Sequence, residues 1–310
     1  MASILAFGKY LPNRVLTNAE LAGMVSCEAA WIEQATGIAE RRMAAPEEDV
    51  VALGVHAGKN CLAASGIEVS AIAMLLVSSG STTRSFPGPA ADIAKLLNLP
   101  AATPAIDLPM ASAGSLFGLA LASRLAASTG PILLIASEKM TDCALLEPLE
   151  KNTSILFGDG AGACIVVPGK GRMEIQASVL HSEGAHTNDL ALDFAGRLTM
   201  NGMNVIRHAS QKIPAAIREV LGSLETCRIS TFLMHQANQN LIDRVAKALG
   251  VETTRFFSNI RNYGNTSSAS MLIAAAEWLE STSPEPGELV CFSAFGAGYH
   301  WGALLCEIMA

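Results

Sequence analysis

Residues 104–125, PAIDLPMASAGSLFGLALASRL, hold a short apolar strand, a turn of small residues and the start of an apolar helix in direct succession. PAIDL (104–108) has strand length and composition, and helical periodicity runs over 112–128. The same alternation extends in both directions. SILAF (3–7), AMLLVSS (73–79), PILLIAS (131–137) and GACIVV (162–167) read as further strands, with helices expected over 48–65 and 88–98. Beyond the GKG turn at 169–171 it starts again, with strands at 173–180, 229–234, 287–293 and 302–308 and helices at 204–222, 238–249 and 266–280. Strands alternating with longer helices are the pattern of a layered α/β protein. The chain therefore reads as two α/β halves, 1–170 and 171–310. No Pro- or Ser-rich linker separates them, so they are expected to share one core.

Composition narrows the function. The 310 residues suffice for one large or two fused domains at ~150 residues each. Half of them are apolar and only 5% aromatic, so the interior must be built from aliphatic side chains. With 21 basic against 28 acidic residues and a net charge of −7, no basic run is long enough to neutralise a phosphate backbone, and nucleic acid is not an expected partner. The start, MASILAFGKYLPNR, lacks the features of a secretory signal, and no apolar run approaches the ~18 residues of a membrane span. A cytoplasmic protein away from the membrane is the expectation. Seven scattered cysteines without a CxxC pair speak against disulfides and a zinc site.

Three residues invite chemistry. Ser112 stands where a strand passes into a helix N-terminus, facing free N–H groups and the positive end of the helix dipole, which suits a nucleophile and equally an ordinary N-cap. His235, in STFLMHQANQNLI, follows an apolar strand directly and reads either as a catalytic imidazole or as a satisfied, half-buried one. Asn265, in NYGNTSSASM, offers a side-chain amide donor that beside His235 would hold an oxyanion; alone it is a turn residue. The other histidines, His56, His181, His186, His208 and His300, show no metal spacing. FGDGAGA (157–163) lacks the Lys and Ser/Thr of a phosphate cradle and reads as a tight packing turn with Asp159 capping backbone.

The order and flanks of these segments resemble a known family. WIEQATGIAERRMAAPEE (31–48), SFPGPAADIAKLL (85–97), AIDLPMASAGSLFGL (105–119), SILFGDGAGACIVV (154–167), HQAN (235–238), YGNTSSAS (263–270) and AFGAGYHWGALL (294–305) are similar to ketoacyl-ACP synthase III, the initiating condensing enzyme of fatty acid synthesis, and to the thiolase-fold enzymes around it. The resemblance implies a thiolase-like five-layered α/β/α/β/α sandwich of two pseudo-repeated halves, the active site buried between them. It implies a nucleophile, His and Asn triad, falling here on Ser112, His235 and Asn265. The nucleophile is loaded from acyl-CoA, malonyl-ACP loses CO2 while the His and Asn hold its enolate, and the carbanion attacks the acyl group. It places the oxyanion hole at the backbone N–H groups of Ser112 and Ala297, the latter where Gly is usual. Acyl-CoA and acyl carrier protein are the implied partners, with a homodimer through edge strands near residues 80–110 and no metal or redox cofactor.

The departures matter as much. The family nucleophile is Cys, so Ser112 implies a slower acyl acceptor: either an introduced replacement that inactivates the enzyme or a natural serine that forms an ester. Cys143, in TDCALLEP, reads as a loop residue, and Glu138 as a structural carboxylate at a strand end, although some relatives carry a base there. Two arginines that help the family hold CoA or the carrier are replaced by Ala35 and Asn240, leaving Trp31, Lys151 and Arg41 for adenine stacking or phosphate contact. Arg84 and Phe86 fall in a loop that in the family lines the partner subunit's acyl channel, so they are implied substrate-binding residues, with a plain surface arginine as the alternative for Arg84. The stretch between His181 and Thr199 is short for the family and leaves acyl length open. Three functions remain: a condensing acyltransferase, a starter-unit acyltransferase that acylates Ser112 and transfers without condensation, and a silent binding subunit.

Overall fold

The computed structural model describes residues 1–310. The first half runs β1 (Ala2–Tyr10), β2 (Arg14–Thr17), α1 (Asn18–Met24), α2 (Ala29–Thr36), β3 (Glu40–Met43), α3 (Val50–Ser65), β4 (Met74–Ser78), α4 (Pro89–Leu96), β5 (Ala105–Leu108), α5 (Gly114–Thr129), β6 (Ile132–Lys139), α6 (Thr141–Ala144), α7 (Lys151–Ser154) and β7 (Asp159–Pro168). The second runs β8 (Met173–Ser182), β9 (Leu190–Leu192), β10 (Leu198–Met200), α8 (Gly202–Leu221), β11 (Ile229–Met234), α9 (Gln239–Leu249), α10 (Ile260–Tyr263), α11 (Ser270–Ser281), β12 (Leu289–Gly296) and β13 (His300–Ile308). No helix is long and apolar enough to cross a membrane.

Nine strands form one ladder in the order β11-β12-β13-β8-β1-β7-β6-β4-β5. The same order appears twice. β5-β4-β6-β7-β1 is matched by β11-β12-β13-β8, with the parallel bridge Phe232↔Phe256 standing where the β4·β5 pairing stands in the first half. The run β4-β6-β7-β1 and the run β11-β12-β13-β8 each hold one parallel pair followed by two antiparallel ones, and β5 adds a second parallel pair to the first half. The two β-layers are joined rather than separate, because β1 and β8 share the residue pairs Ser3↔Glu174 and Ile4↔Met173.

Alternation along the strands builds the layers. Leu133 and Ile135 face α3 and α4 in one cluster, while Leu134 and Ala136 face α5 and α11 in another. Phe292 and Ala294 join that same central cluster, and Cys291 turns to α8 and α9. The layers are thus α3/α4, sheet, α5/α11, sheet, α8/α9: a thiolase-like five-layered sandwich.

Three expectations change. FGDGAGA is mostly strand, with all of Asp159–Val167 buried. Its glycines mark close helix packing rather than a turn: a Cβ on Gly162 would lie 2.6 Å from the Leu272 side chain of α11. The helix expected over 266–280 begins with a 3₁₀ turn, Ser267–Ala269, before α11. Cys143 lies within the short α6 rather than in a loop. The antiparallel β2/β3 pair, the β9/β10 hairpin, α1 and α2 escaped the sequence reading, being short and half-exposed, with weak periodicity.

Candidate active site

Ser112, His235 and Asn265, spread over half the chain, line one narrow cavity of about 80 Å³. Their exposures, 7%, 3% and 6%, make it an interior site. Leu156, Val205, Met234 and Phe295 supply apolar wall, so electrostatic interactions inside are little screened.

Ser112 and His235 are delivered by segments that leave strands, and Asn265 by the turn that follows the short helix α10. β5 stops at Leu108 and α5 starts at Gly114, where a Cβ would come within 1.9 Å of the Ser78 hydroxyl; only glycine lets the helix start this close to β4. Ser112 is not the cap of α5. The cap position is Ala113 and no side chain caps the helix, so the capping role fails and the Ser112 side chain is left to the cavity.

His235 follows β11, its backbone N–H bonded to Ser293 O at 2.8 Å. The turn after it is braced by the buried Gln236, whose Nε2 donates to Met234 O and whose Oε1 accepts from Asn259 N–H and Ser258 Oγ. His235 Nδ1 lies 2.6 Å from Ser270 Oγ, which also accepts from Gln236 N–H at 3.1 Å. Burial pushes the imidazole pKa down to about 3, the backbone of Ser267 pulling the other way, so the ring is neutral at physiological pH.

Asn265 sits after Gly264 (φ +64°), where a Cβ would lie 2.9 Å from Leu156 O. Its Oδ1 accepts from Ser267 N–H at 2.9 Å, which assigns the amide orientation and leaves Nδ2 as the donor turned to the cavity. A neutral imidazole and an amide donor in one dry cavity can share a single developing oxyanion.

Glu138 does not line this cavity. It is fully buried and accepts from Gly80 N–H, Ser81 Oγ, Ser268 N–H and Ser268 Oγ, tying the 79–81 turn to the segment that holds Asn265. Burial raises its pKa and these bonds oppose the rise. Asp159 caps backbone as expected, accepting from Ala44 N–H and Thr141 N–H.

A sequence profile described as 3-Oxoacyl-[acyl-carrier-protein (ACP)] synthase III matches residues 106–184, and its C-terminal companion matches 222–308. Over 97% of its length the chain is 34% identical to beta-ketoacyl-[acyl-carrier-protein] synthase III of Pectobacterium atrosepticum, covering 98% of that protein. It belongs to the 3-oxoacyl-[acyl-carrier-protein] synthase III family. Members of this family are acyl-transferring condensing enzymes. Among solved structures, the 3-oxoacyl-[acyl-carrier-protein] synthase III of Aquifex aeolicus VF5 superposes with a TM-score of 0.94 at 30% identity, over 99% of this chain and 100% of that one. The priming beta-ketosynthase of the R1128 polyketide biosynthetic pathway does so at 0.90 and 30% identity, over 100% and 96%.

Several positions singled out by resemblance to the synthase III family sit differently from expectation. Arg41 is unavailable to a phosphate: it is fully buried, its guanidinium bonded to Leu16 O, Asn18 Oδ1 and Ile155 O. Trp31 and Lys151 do come together, the ammonium 4.0 Å from the ring centroid. Asn240 donates to the carbonyls of Gln34 and Ala35, so the two positions where family arginines were expected touch each other. Arg84 is ion-paired with Asp92 on the surface and Phe86 is 85% exposed; neither lines the cavity of this chain. In the late turn, Gly296 lines the cavity, while Ala297 beside it is half-buried and does not. A Cβ on Gly296 would lie 2.7 Å from Ala113 N and 3.3 Å from Ser112 Cβ, so the glycine is what lets β12 abut the turn that carries Ser112. Ser270 and Gly296 were missed by sequence reading; the glycine itself was the available signal, and nothing in SSAS marked Ser270.

Proposed function

We propose that this chain condenses an acyl-CoA starter with malonyl-ACP to a 3-oxoacyl-ACP, with Ser112 at the acyl-accepting position and His235 and Asn265 binding the malonyl thioester carbonyl. The convergence of these three side chains on one buried cavity carries the reading. Asn265 presents Nδ2 because Ser267 N–H occupies its oxygen. Ser270 Oγ, already accepting from Gln236 N–H, directs its own proton at His235 Nδ1, leaving Nε2 protonated as the second donor. Two neutral donors on one oxygen stabilise the enolate formed as CO2 leaves, and the carbanion attacks the ester carbonyl at Ser112. The resulting oxyanion, met by backbone N–H groups of Ser112 and of the Gly296–Ala297 turn, collapses with cleavage of the Oγ–acyl bond, and the serine oxygen takes a proton from water. The protein works as a cytoplasmic homodimer, its halves 1–170 and 171–310 contributing the nucleophile and the His/Asn pair respectively.

A second reading is favoured by the hydroxyl itself. An alcohol needs a base during attack, and a neutral His235 with its proton on Nδ1, donated to Ser270 Oγ, would leave Nε2 to serve as that base. Ser112 would then be acylated and pass the group on without condensation. Intact mass and CO2 release, followed with acyl-CoA and malonyl-ACP for this protein and for Ser112→Cys, separate the two. Loading and CO2 release by the Cys form, with the serine form far slower, support condensation. A stable ester on Ser112 transferred without CO2 supports the second reading, and no acylation of either form sinks both.

A further inference from the structure

We propose that Glu183, His186 and His208 form a binding site for one divalent transition-metal ion of the zinc class, which clips the cover of the cavity to helix α8. The segment from Glu183 to Asn201 forms that cover, with Leu190 and Met200 reaching the cavity. His208 lies on α8 between Val205 and Ala209, which line the cavity from below. None of the three ligands lines it, so the ion would sit one layer behind the wall, outside the chemistry.

One donor atom from each residue lies within 4.8 Å of the other two. Donors ~2.1 Å from one tetrahedral zinc ion are about 3.4 Å apart, so the three side chains must draw together on the ion, a torsional adjustment open to half-buried side chains. Two imidazoles and one carboxylate suit zinc and its neighbours and do not suit Mg²⁺ or Ca²⁺, which take oxygen ligands. The surroundings add the partner that metal-binding histidines usually have. Asp189 Oδ2 is 3.4 Å from His186 Nδ1, and that carboxylate is itself held by Tyr299 O–H at 3.0 Å and Asn204 Nδ2 at 3.2 Å. A carboxylate at one ring nitrogen leaves the other with its lone pair for a metal.

Lys212 completes the argument. Its ammonium is 2.7 Å from Glu183 Oε2 and 4.0 Å from the centroid of the Trp301 ring. It supplies the positive charge that Glu183 faces; a dication can take that place while the ammonium stays on the aromatic face.

Titration calorimetry on protein stripped with a chelator tests the site, using ZnCl2 with MgCl2 as control. One saturable zinc site and no response to Mg²⁺ are expected. His186→Ala, His208→Ala and Glu183→Gln should each weaken zinc by at least tenfold, and Asp189→Asn by about 10–100-fold. Lys212→Met should tighten it by removing the competing charge. Zinc should raise the unfolding midpoint of the parent protein and not that of His208→Ala, whose own fold is checked by circular dichroism. Absence of saturable binding overturns the proposal. So does binding unchanged in both His variants, which would place the zinc elsewhere, for instance on the partly exposed thiols of Cys27, Cys143 or Cys227.

Discussion

At the floor of the cavity, His235 and Asn265 each have one polar end tied to the chain, Nδ1 to Ser270 Oγ and Oδ1 to Ser267 N–H. Outside it, at a rim none of whose residues lines the cavity, Trp31 and Lys151 meet each other, and Asn240 merely reaches back to the carbonyls of Gln34 and Ala35. The floor hangs on strand ends, glycines and buried serines, where a shift of a few tenths of an ångström is resisted by close packing. The rim hangs on exposed side chains that can be exchanged at little cost to folding. Under the proposed function the floor would set the class of reaction and the rim how tightly a donor is held, and substitutions should separate accordingly.

Asn265→Ala should cost the most. Removing one of two donors on a developing oxyanion lowers turnover by about 10²–10³ with acyl loading intact, so CO2 release from malonyl-ACP should collapse while the acylated mass is still seen. Equal loss of loading and CO2 release would mean that Asn265 holds structure rather than the enolate.

The next effect reads the burial of the floor through pH. His235 is pushed down to about 3 in the folded chain, whereas an unfolded histidine titrates near 6.5. A depressed imidazole stabilises the folded state fully above the unfolded value and progressively less as pH falls, because the unfolded chain takes up a proton that the folded one refuses. Between pH 6.5 and 5 that is about 2 kcal/mol. The urea midpoint should fall over this window by that much more in the parent protein than in His235→Gln; parallel curves would mean that water reaches the ring.

Ser270→Ala leaves the imidazole in place and frees its tautomer. Turnover should fall about tenfold, with the KM for acyl-CoA unchanged and with recovery in Ser270→Thr, which keeps the hydroxyl. A drop in thermal stability without a change in turnover would reduce Ser270 to packing.

How much of this was legible beforehand follows the same division. Strand-to-helix transitions carrying Ser112 and His235 were visible because apolar runs of period two and 3.6 flank them on both sides. The FGDGAGA segment misled because a glycine that admits α11 at 2.6 Å looks, in one dimension, like a glycine that turns the chain. Arg41 misled for a related reason: a cation in a segment resembling the family's donor-binding region reads as a phosphate ligand, and only the fold shows its donors spent on Leu16, Asn18 and Ile155. Pairings such as His235 with Ser270, or Glu138 with Ser268, span 35 and 130 residues and leave no periodic trace.

The smallest effect is expected at the rim, from Asn240→Arg. Asn240 begins the second position of α9, where a positive charge opposes the helix dipole by roughly 0.3–1 kcal/mol, and its present bonds to Gln34 O and Ala35 O would be given up. On the proposed function, a guanidinium at this contact between α2 and α9 would offer a CoA phosphate a bidentate partner. The dipole cost lowers stability in free and bound enzyme alike and leaves KM to the new contact, so the KM for acyl-CoA should fall about threefold at low salt, with kcat unchanged, and the gain should disappear as the Debye length drops toward 3 Å near 1 M salt. A change in kcat would couple rim to floor and break the division drawn above. An unchanged KM would route the phosphates away from α2 and α9, leaving the Trp31–Lys151 pair as the remaining place to look.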